Sequence, residues 1–245
     1  MNPTTLALAV RLAKASDVPN VVIAAPLPFL SAVNEVIRNA RLAAQDVSAV
    51  EVPTGARTGE VSATMLRRMG VRYAIIGHSE RRAMGETDAA IAAKVRAAVA
   101  AGITPVLCVG EPWSVRKRGF AAAQAFVKRQ LSEDLKLVSR LSSLVSRLVI
   151  AYEPIWAIST SKDRRDPPTS LGTSETPENA ARMAQFITRQ LTTYNRQRTP
   201  RILYGGSVNS GNAASFLSRP EFAGVLVGGA SLQMKEFEKI LSTKY

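Results

Sequence analysis

Tyr73-Ala74-Ile75-Ile76-Gly77-His78-Ser79-Glu80-Arg81-Arg82 passes within ten residues from an apolar run, through a glycine, into a dense polar cluster. The run Tyr73–Gly77 lacks the polar alternation of a half-exposed strand, so it predicts a strand covered on both faces. Six other runs have the same character: Val21–Ala24, Leu42–Gln45, Thr104–Val109, Leu148–Tyr152, Arg201–Gly205 and Gly224–Val227. Amphipathic segments separate them. In Thr87–Ala101 the apolar positions Ile91, Val95 and Val99 recur every four residues, and Thr176-Pro177 reads as an N-cap with proline in the first turn of a helix reaching about Tyr194. Thr87 and Asn209 read as caps of the same kind. Strands alternating with helices predict a parallel sheet with right-handed crossovers. The chain itself opens on a helix, with Asn2 as cap, Pro3 in the first position and Leu6, Ala9, Val10 and Ala13 as its apolar face. Seven strands therefore stand against eight helical units. Two architectures fit that count: an open doubly wound sheet, or an eight-stranded barrel that lacks its first strand.

Composition narrows the class. The 245 residues are 46% hydrophobic and 21% charged, enough to bury a core and too apolar for general disorder. No run approaches eighteen consecutive apolar residues, and the N-terminus lacks the basic-then-apolar pattern of a secretory signal. Cys108 is the single cysteine, so no internal disulfide forms and a reducing, cytoplasmic setting is expected. His78 is the single histidine, which argues against an ordinary zinc site, and no metal is expected. The net charge of +13 comes mainly from arginine, 23 against 9 lysines. These cations are scattered, without the aromatic-interleaved stripe of a nucleic-acid surface, so the charge reads as a solvated basic surface.

Chemistry gathers at the ends of the strands, where parallel α/β folds build their sites. His78 follows the strand at Tyr73–Gly77. Glu153, in Ile150-Ala151-Tyr152-Glu153-Pro154-Ile155-Trp156, ends another and is a candidate general base. The last two strands end in Tyr204-Gly205-Gly206-Ser207-Val208-Asn209 and Val227-Gly228-Gly229-Ala230-Ser231, glycine turns that lead into helices. Backbone N–H groups at such turns suit a phosphate, and two of them on the final strands match the place where barrel enzymes often hold one.

Together these segments resemble the triosephosphate isomerase family over essentially the whole chain. The resemblance rests on GHSERR at Gly77–Arg82, CVGE at Cys108–Glu111, AYEPIWAI at Ala151–Ile158, YGGSV at Tyr204–Val208 and LVGGASL at Leu226–Leu232, in family order. The stretch Thr54–Ser62 is similar to the family's dimer-forming loop. The resemblance implies a (β/α)8 TIM-type barrel forming one domain over residues 1–245. It implies cofactor-free interconversion of dihydroxyacetone phosphate and D-glyceraldehyde 3-phosphate in glycolysis and gluconeogenesis, through an enediolate. By the roles the family assigns, Glu153 takes a proton from carbon and His78 polarises the carbonyl as a neutral imidazole. Ser159, Ser207, Gly228 and Gly229 would hold the phosphate, with Glu80 and Cys108 supporting the site from behind. Cys108 is expected to act as a packed small hydrophobe.

The sequence also departs from the family's pattern. The family opens with a strand ending Asn-x-Lys, followed by Met-Asn, whereas this chain reads from Met1-Asn2. The first strand and the site's asparagine and lysine are therefore expected to be missing, in agreement with the count of seven. Losing one such electrostatic group typically costs about 10²–10³ in rate. Weak catalysis is the expectation, with an inactive barrel that keeps only phosphate binding as the alternative and a basic nucleic-acid-binding protein as a remote one. After Glu153, serines at 159 and 161 replace two expected glycines, and an insertion at about 163–174 lengthens the lid. A missing strand leaves two open edges, predicting a homo-oligomer that covers them and differs from the family dimer.

Overall fold

The computed structural model describes residues 2–50, 56–138, 147–158, 175–193 and 199–243. Its strands are β1 Val22–Ala25, β2 Arg41–Ala44, β3 Tyr73–Ile76, β4 Thr104–Val109, β5 Val149–Tyr152, β6 Arg201–Tyr204 and β7 Gly224–Val225. They form one parallel sheet in the order β1-β2-β3-β4-β5-β6-β7. Each strand pairs with the next, in registers such as Ile75↔Val106, Cys108↔Ala151 and Ala151↔Leu203. Strand order equal to chain order is the consequence of successive right-handed crossovers of one sense. It excludes the doubly wound alternative, which needs a reversal of order. Among the described residues β1 and β7 do not pair, so the sheet is an open barrel, matching the TIM barrel short of one strand.

Among the described residues ten α-helices surround it: α1 Leu6–Ala15, α2 Leu30–Val36, α3 Ala63–Arg68, α4 Ser79–Ala83, α5 Asp88–Ala100, α6 Trp113–Arg116, α7 Phe120–Leu135, α8 Pro177–Thr192, α9 Ala213–Leu217 and α10 Met234–Leu241. Grouped between strands, with one group before β1 and one after β7, they give the eight helical units the sequence predicts. Helix α1 packs on α2 and also reaches α10, so the two ends of the described chain meet outside the sheet. None of the described helices is long and apolar enough to cross a membrane.

The strands carry apolar residues on both faces because each face meets a separate core. One core lies between sheet and helices and includes Ile76, Leu107, Ile150, Ile91 and Val127, all fully buried. The other fills the barrel interior with Val106, Cys108, Val149 and Ala151, flanked by Tyr73, Ile75 and Leu203. Residues alternate between these cores along each strand, so Glu153, two beyond Ala151, continues the inward series at the carboxyl end.

Caps explain where several helices start. Thr87 Oγ1 accepts from Ala90 N–H at 3.2 Å and Thr176 Oγ1 from Asn179 N–H at 3.2 Å, both at the expected caps. Two expected caps move. Thr5, not Asn2, caps α1, its Oγ1 accepting from Leu8 N–H at 3.2 Å, because a β-region threonine directly ahead of Leu6 competes for the start. Asn209 folds into a turn instead, its Oδ1 accepting from Gly211 and Asn212 N–H at 2.9 and 3.1 Å, and α9 begins only after Asn212. Asparagine serves a local turn and a helix cap through the same acceptor, so spacing alone does not separate the two.

Candidate functional site

Two side chains from different strands converge at the carboxyl end of the barrel. His78 follows β3 and is the N-cap of α4, with Nδ1 accepting from Glu80 N–H at 3.2 Å. Its Nδ1 lone pair is thereby occupied, which puts the ring proton of the neutral imidazole on Nε2. That nitrogen lies 3.3 Å from Oε1 of Glu153. Glu153 is nearly sealed from solvent, its side chain 2% exposed against 29% for His78. Its Oε2 accepts from Ser79 N–H at 3.0 Å, while Oε1 has no hydrogen-bond partner. A buried carboxylate oxygen left without a hydrogen-bond donor, beside a ring nitrogen at 3.3 Å, is a candidate proton acceptor.

Backbone packing holds Glu153 in place. A Cβ on Gly110 would overlap the Glu153 carbonyl, and a Cβ on Gly205 would come within 2.9 Å of Glu153 Cγ. Both glycines follow strands adjacent to β5, so the carboxylate is wedged where no larger residue fits. Glu153 N–H donates to Val109 O at 2.8 Å and Gly205 N–H to Tyr152 O at 2.8 Å, extending the ladder past the strand ends.

Beneath the pair lies a polar support that sequence reasoning did not single out. Arg82 Nε donates to Gly77 O at 2.8 Å, and Nη2 donates to Cys108 O at 3.2 Å and Asp134 Oδ2 at 2.6 Å. Its Nη1 reaches Asp88 at 2.7 Å. One guanidinium thus ties the ends of β3 and β4 to α5 and α7. Gln130 completes the support by accepting Gly110 N–H at 2.9 Å. Burial pushes the Asp134 carboxyl up to about 7, outweighing the Arg82 charge that lowers it. The GHSERR run contains Arg82, but nothing in the sequence links it to a partner fifty-two residues away.

Cys108 is fully buried in the barrel interior. Burial first, and then the nearby Glu153 carboxylate, push its thiol well up, so it stays protonated and packed. Glu80 points outward, its side chain 60% exposed and its carboxylate 3.9 Å from His78 Nδ1. Among the described residues no lysine or arginine pairs with it. Ser207 N–H donates to Ala157 O at 3.3 Å, while Gly228 and Gly229 are exposed at the start of a 3-10 turn after β7. Ser159 and the insertion at 163–174 lie outside the described residues.

A further cluster borders the site, built on Glu111 after β4, Arg116 in α6, Tyr152 in β5 and Glu175 ahead of α8. Glu111 accepts from Tyr152 Oη at 3.2 Å and from Trp156 Nε1 at 3.2 Å. Arg116 Nη1 lies 3.5 Å from Glu111 and Nη2 lies 3.6 Å from Glu175. The CVGE and AYEPIWAI segments contain three of these residues. Glu175 carries no local signal, since its partners come from β4, β5 and α6.

Moving a proton between neighbouring atoms of a small substrate is the chemistry such a pair serves, which places the molecule among barrel isomerases. The model of the triosephosphate isomerase family matches residues 4–244. The chain is 44% identical to triosephosphate isomerase of Paracidovorax citrulli over 227 residues, 91% of this chain and 83% of the relative. It is 46% identical to that of Thermus thermophilus over 220 residues, 87% and 81% of the two chains. Against the Coxiella burnetii enzyme it is 43% identical over 218 residues, covering 88% and 80%. The chain belongs to the triosephosphate isomerase family.

Proposed function

We propose that this chain interconverts dihydroxyacetone phosphate and D-glyceraldehyde 3-phosphate, with Glu153 as the base and His78 as the electrophile. The observation that carries the reading is the 3.3 Å approach of His78 Nε2 to the unpartnered Oε1 of Glu153 at the carboxyl ends of β3 and β5. Substrate entry separates the two, and Glu153 leaves Ser79 N–H to meet the carbon. Glu153 takes a proton from the carbon beside the carbonyl, and the C–H electrons form the enediolate double bond. His78 Nε2–H supports the oxygen that gains charge. Glu153 returns the proton to the neighbouring carbon, while His78 Nε2 gives its proton to the former carbonyl oxygen and takes one from the neighbouring hydroxyl, which becomes the new carbonyl, so atoms and electrons balance. No cofactor enters these steps.

The phosphate is assigned to backbone N–H groups at Ser207, Gly228 and Gly229, and at Ser159. For Ser207 this means exchanging its 3.3 Å bond to Ala157 O for the ligand. Turnover by the polypeptide as given is expected to be weak. Among the described residues no cation answers Glu80 or faces His78, and the family's Asn-x-Lys strand supplies that charge elsewhere. The alternative reading is phosphate binding without isomerisation. The chain is expected to work in the cytoplasm and to self-associate through the unpaired edges of β1 and β7.

Turnover in both directions, measured on this chain and on a version extended upstream by a strand ending Asn-Trp-Lys, tests the proposal. The expected result is slow isomerisation that the extension raises by about 10²-fold or more. Equal rates would refute the role given to the missing charge. Phosphate binding with no turnover in either form would establish the alternative reading.

A further inference from the structure

Glu175 and Trp156 stand far apart in sequence yet close on one buried ionic cluster. Glu175 is 5% exposed and Glu111 fully buried, and among the described residues the guanidinium placed against them is Arg116, itself 12% exposed in its side chain. Among the described residues, the groups facing Glu175 come from several neighbouring elements. Arg116 approaches from α6, Glu111 from the end of β4 and Tyr152 Oη, at 3.4 Å, from β5. The Tyr204 phenol in β6 feels its charge, and Thr176 N–H donates to its Oε1 at 3.2 Å. Among the described residues this leaves two carboxylates against one guanidinium if both acids ionise, and a buried unbalanced charge is costly. Arg116 Nη1 makes no well-formed hydrogen bond, so the guanidinium sits between the acids without being committed to either.

Among the described residues Glu111 keeps Tyr152 and Trp156 as donors, whereas Glu175 has one backbone N–H and a long contact to Tyr152. The spare proton therefore belongs on Glu175. Burial raises its carboxyl to about 7, against the lowering effect of Arg116.

We propose that Glu175 is a proton-operated positioning residue whose protonation decides how Arg116 is divided between Glu175 and Glu111, and through Glu111 how Trp156 is held. With the proton on, Arg116 balances Glu111 alone. With it off, the two carboxylates compete for one cation, and Glu111 draws more heavily on Tyr152 and Trp156. Trp156 belongs to the turn Ile155–Ala157, which directly follows Glu153-Pro154, so the proton state of Glu175 reaches the segment that carries the base. That last link rests on the proposed role of Glu153; the proton switch itself does not.

The chain carries its own reporter. Its two tryptophans, Trp113 and Trp156, sit with ring centroids 5.6 Å apart, and Arg116 lies 5.3 Å over the Trp156 ring. Intrinsic tryptophan fluorescence of the full chain is recorded from pH 5.5 to 8.5 in wild type and in Trp113→Phe, which isolates Trp156. Both are expected to show one transition with a midpoint near 7. Glu175→Gln abolishes it, while His78→Gln and Asp134→Asn, which replace ionisable side chains outside this cluster, leave it in place. A flat wild-type profile, or a transition that survives in Glu175→Gln or vanishes in His78→Gln or Asp134→Asn, overturns the proposal. If Glu175→Gln does not fold, the wild-type, Trp113→Phe, His78→Gln and Asp134→Asn profiles still decide by the same criteria. No arm of the test requires turnover, so an inactive enzyme with an intact transition would sink the proposed reaction and leave the switch standing.

Discussion

At the scale of single residues, environment separates groups whose sequence contexts look alike. Glu80 and Glu153 both lie beside strand ends, but one side chain is 60% exposed and the other 2%. The second is the one buried 3.3 Å from His78 Nε2, which is why the base is assigned to it in the proposed reaction. Cys108 is sealed beside that base with its thiol pushed up by burial, so native protein should resist thiol-modifying reagents. Labelling at pH 8 is expected to be slow in buffer and to complete rapidly in denaturing urea. Fast labelling of the native state would show that the barrel interior opens. His78 and Glu153 were legible in the sequence because each follows an apolar run at a strand end. Arg82's partners and Glu175 were not, because their meaning depends on residues that only the fold brings together.

At the scale of elements, the site depends on how closely three strand ends approach. Gly110 lies against the Glu153 carbonyl, so Gly110→Ala must displace β4 or β5. A loss of about 1–3 kcal/mol is expected by chemical denaturation, in line with overpacking elsewhere. Gly205 faces the flexible Glu153 side chain instead, so Gly205→Ala should cost less stability and shift the carboxylate. Comparing denaturation midpoints of the two variants checks that order. The Arg82–Asp134 pair gives a pH signature. Asp134 has its folded-state value raised to about 7 from an ordinary value of 3.8. The folded protein therefore holds a proton that the unfolded chain releases, and this contribution to stability declines as pH rises from about 4 to 7. Asp134→Asn should flatten the fall in unfolding free energy over that window; an unchanged slope would assign it to other groups. Strand positions were readable because both faces of the sheet are covered, giving continuous apolar runs. Helix starts were less so, as Thr5 and Asn209 show, because several polar residues near a terminus offer equivalent caps.

At the scale of the molecule, the count of seven strands and eight helical units left two architectures open, and strand order decided between them. Topology is not written in the alternation of segments, since a doubly wound sheet uses the same pattern. The open edges of β1 and β7 carry unpaired backbone groups, and Val22 in β1 is 43% exposed. Such an edge invites a partner. Light scattering at low micromolar concentration is expected to give a mass above that of one 26.3 kDa chain. A stable monomer would contradict the edge-covering interface. The +13 charge suits an anionic substrate, but no described feature turns it into a nucleic-acid surface.

Glu153, facing His78, is proposed to move a proton on a triose phosphate. The most direct measurement is exchange of solvent deuterium into dihydroxyacetone phosphate and glyceraldehyde 3-phosphate by the wild-type chain and by Glu153→Gln, which detects even slow enolisation. Wild type is expected to incorporate deuterium at carbon, with the variant slower by about 10²–10⁴-fold. Exchange at the same rate in both proteins, or none above the uncatalysed background in wild type, would contradict the account.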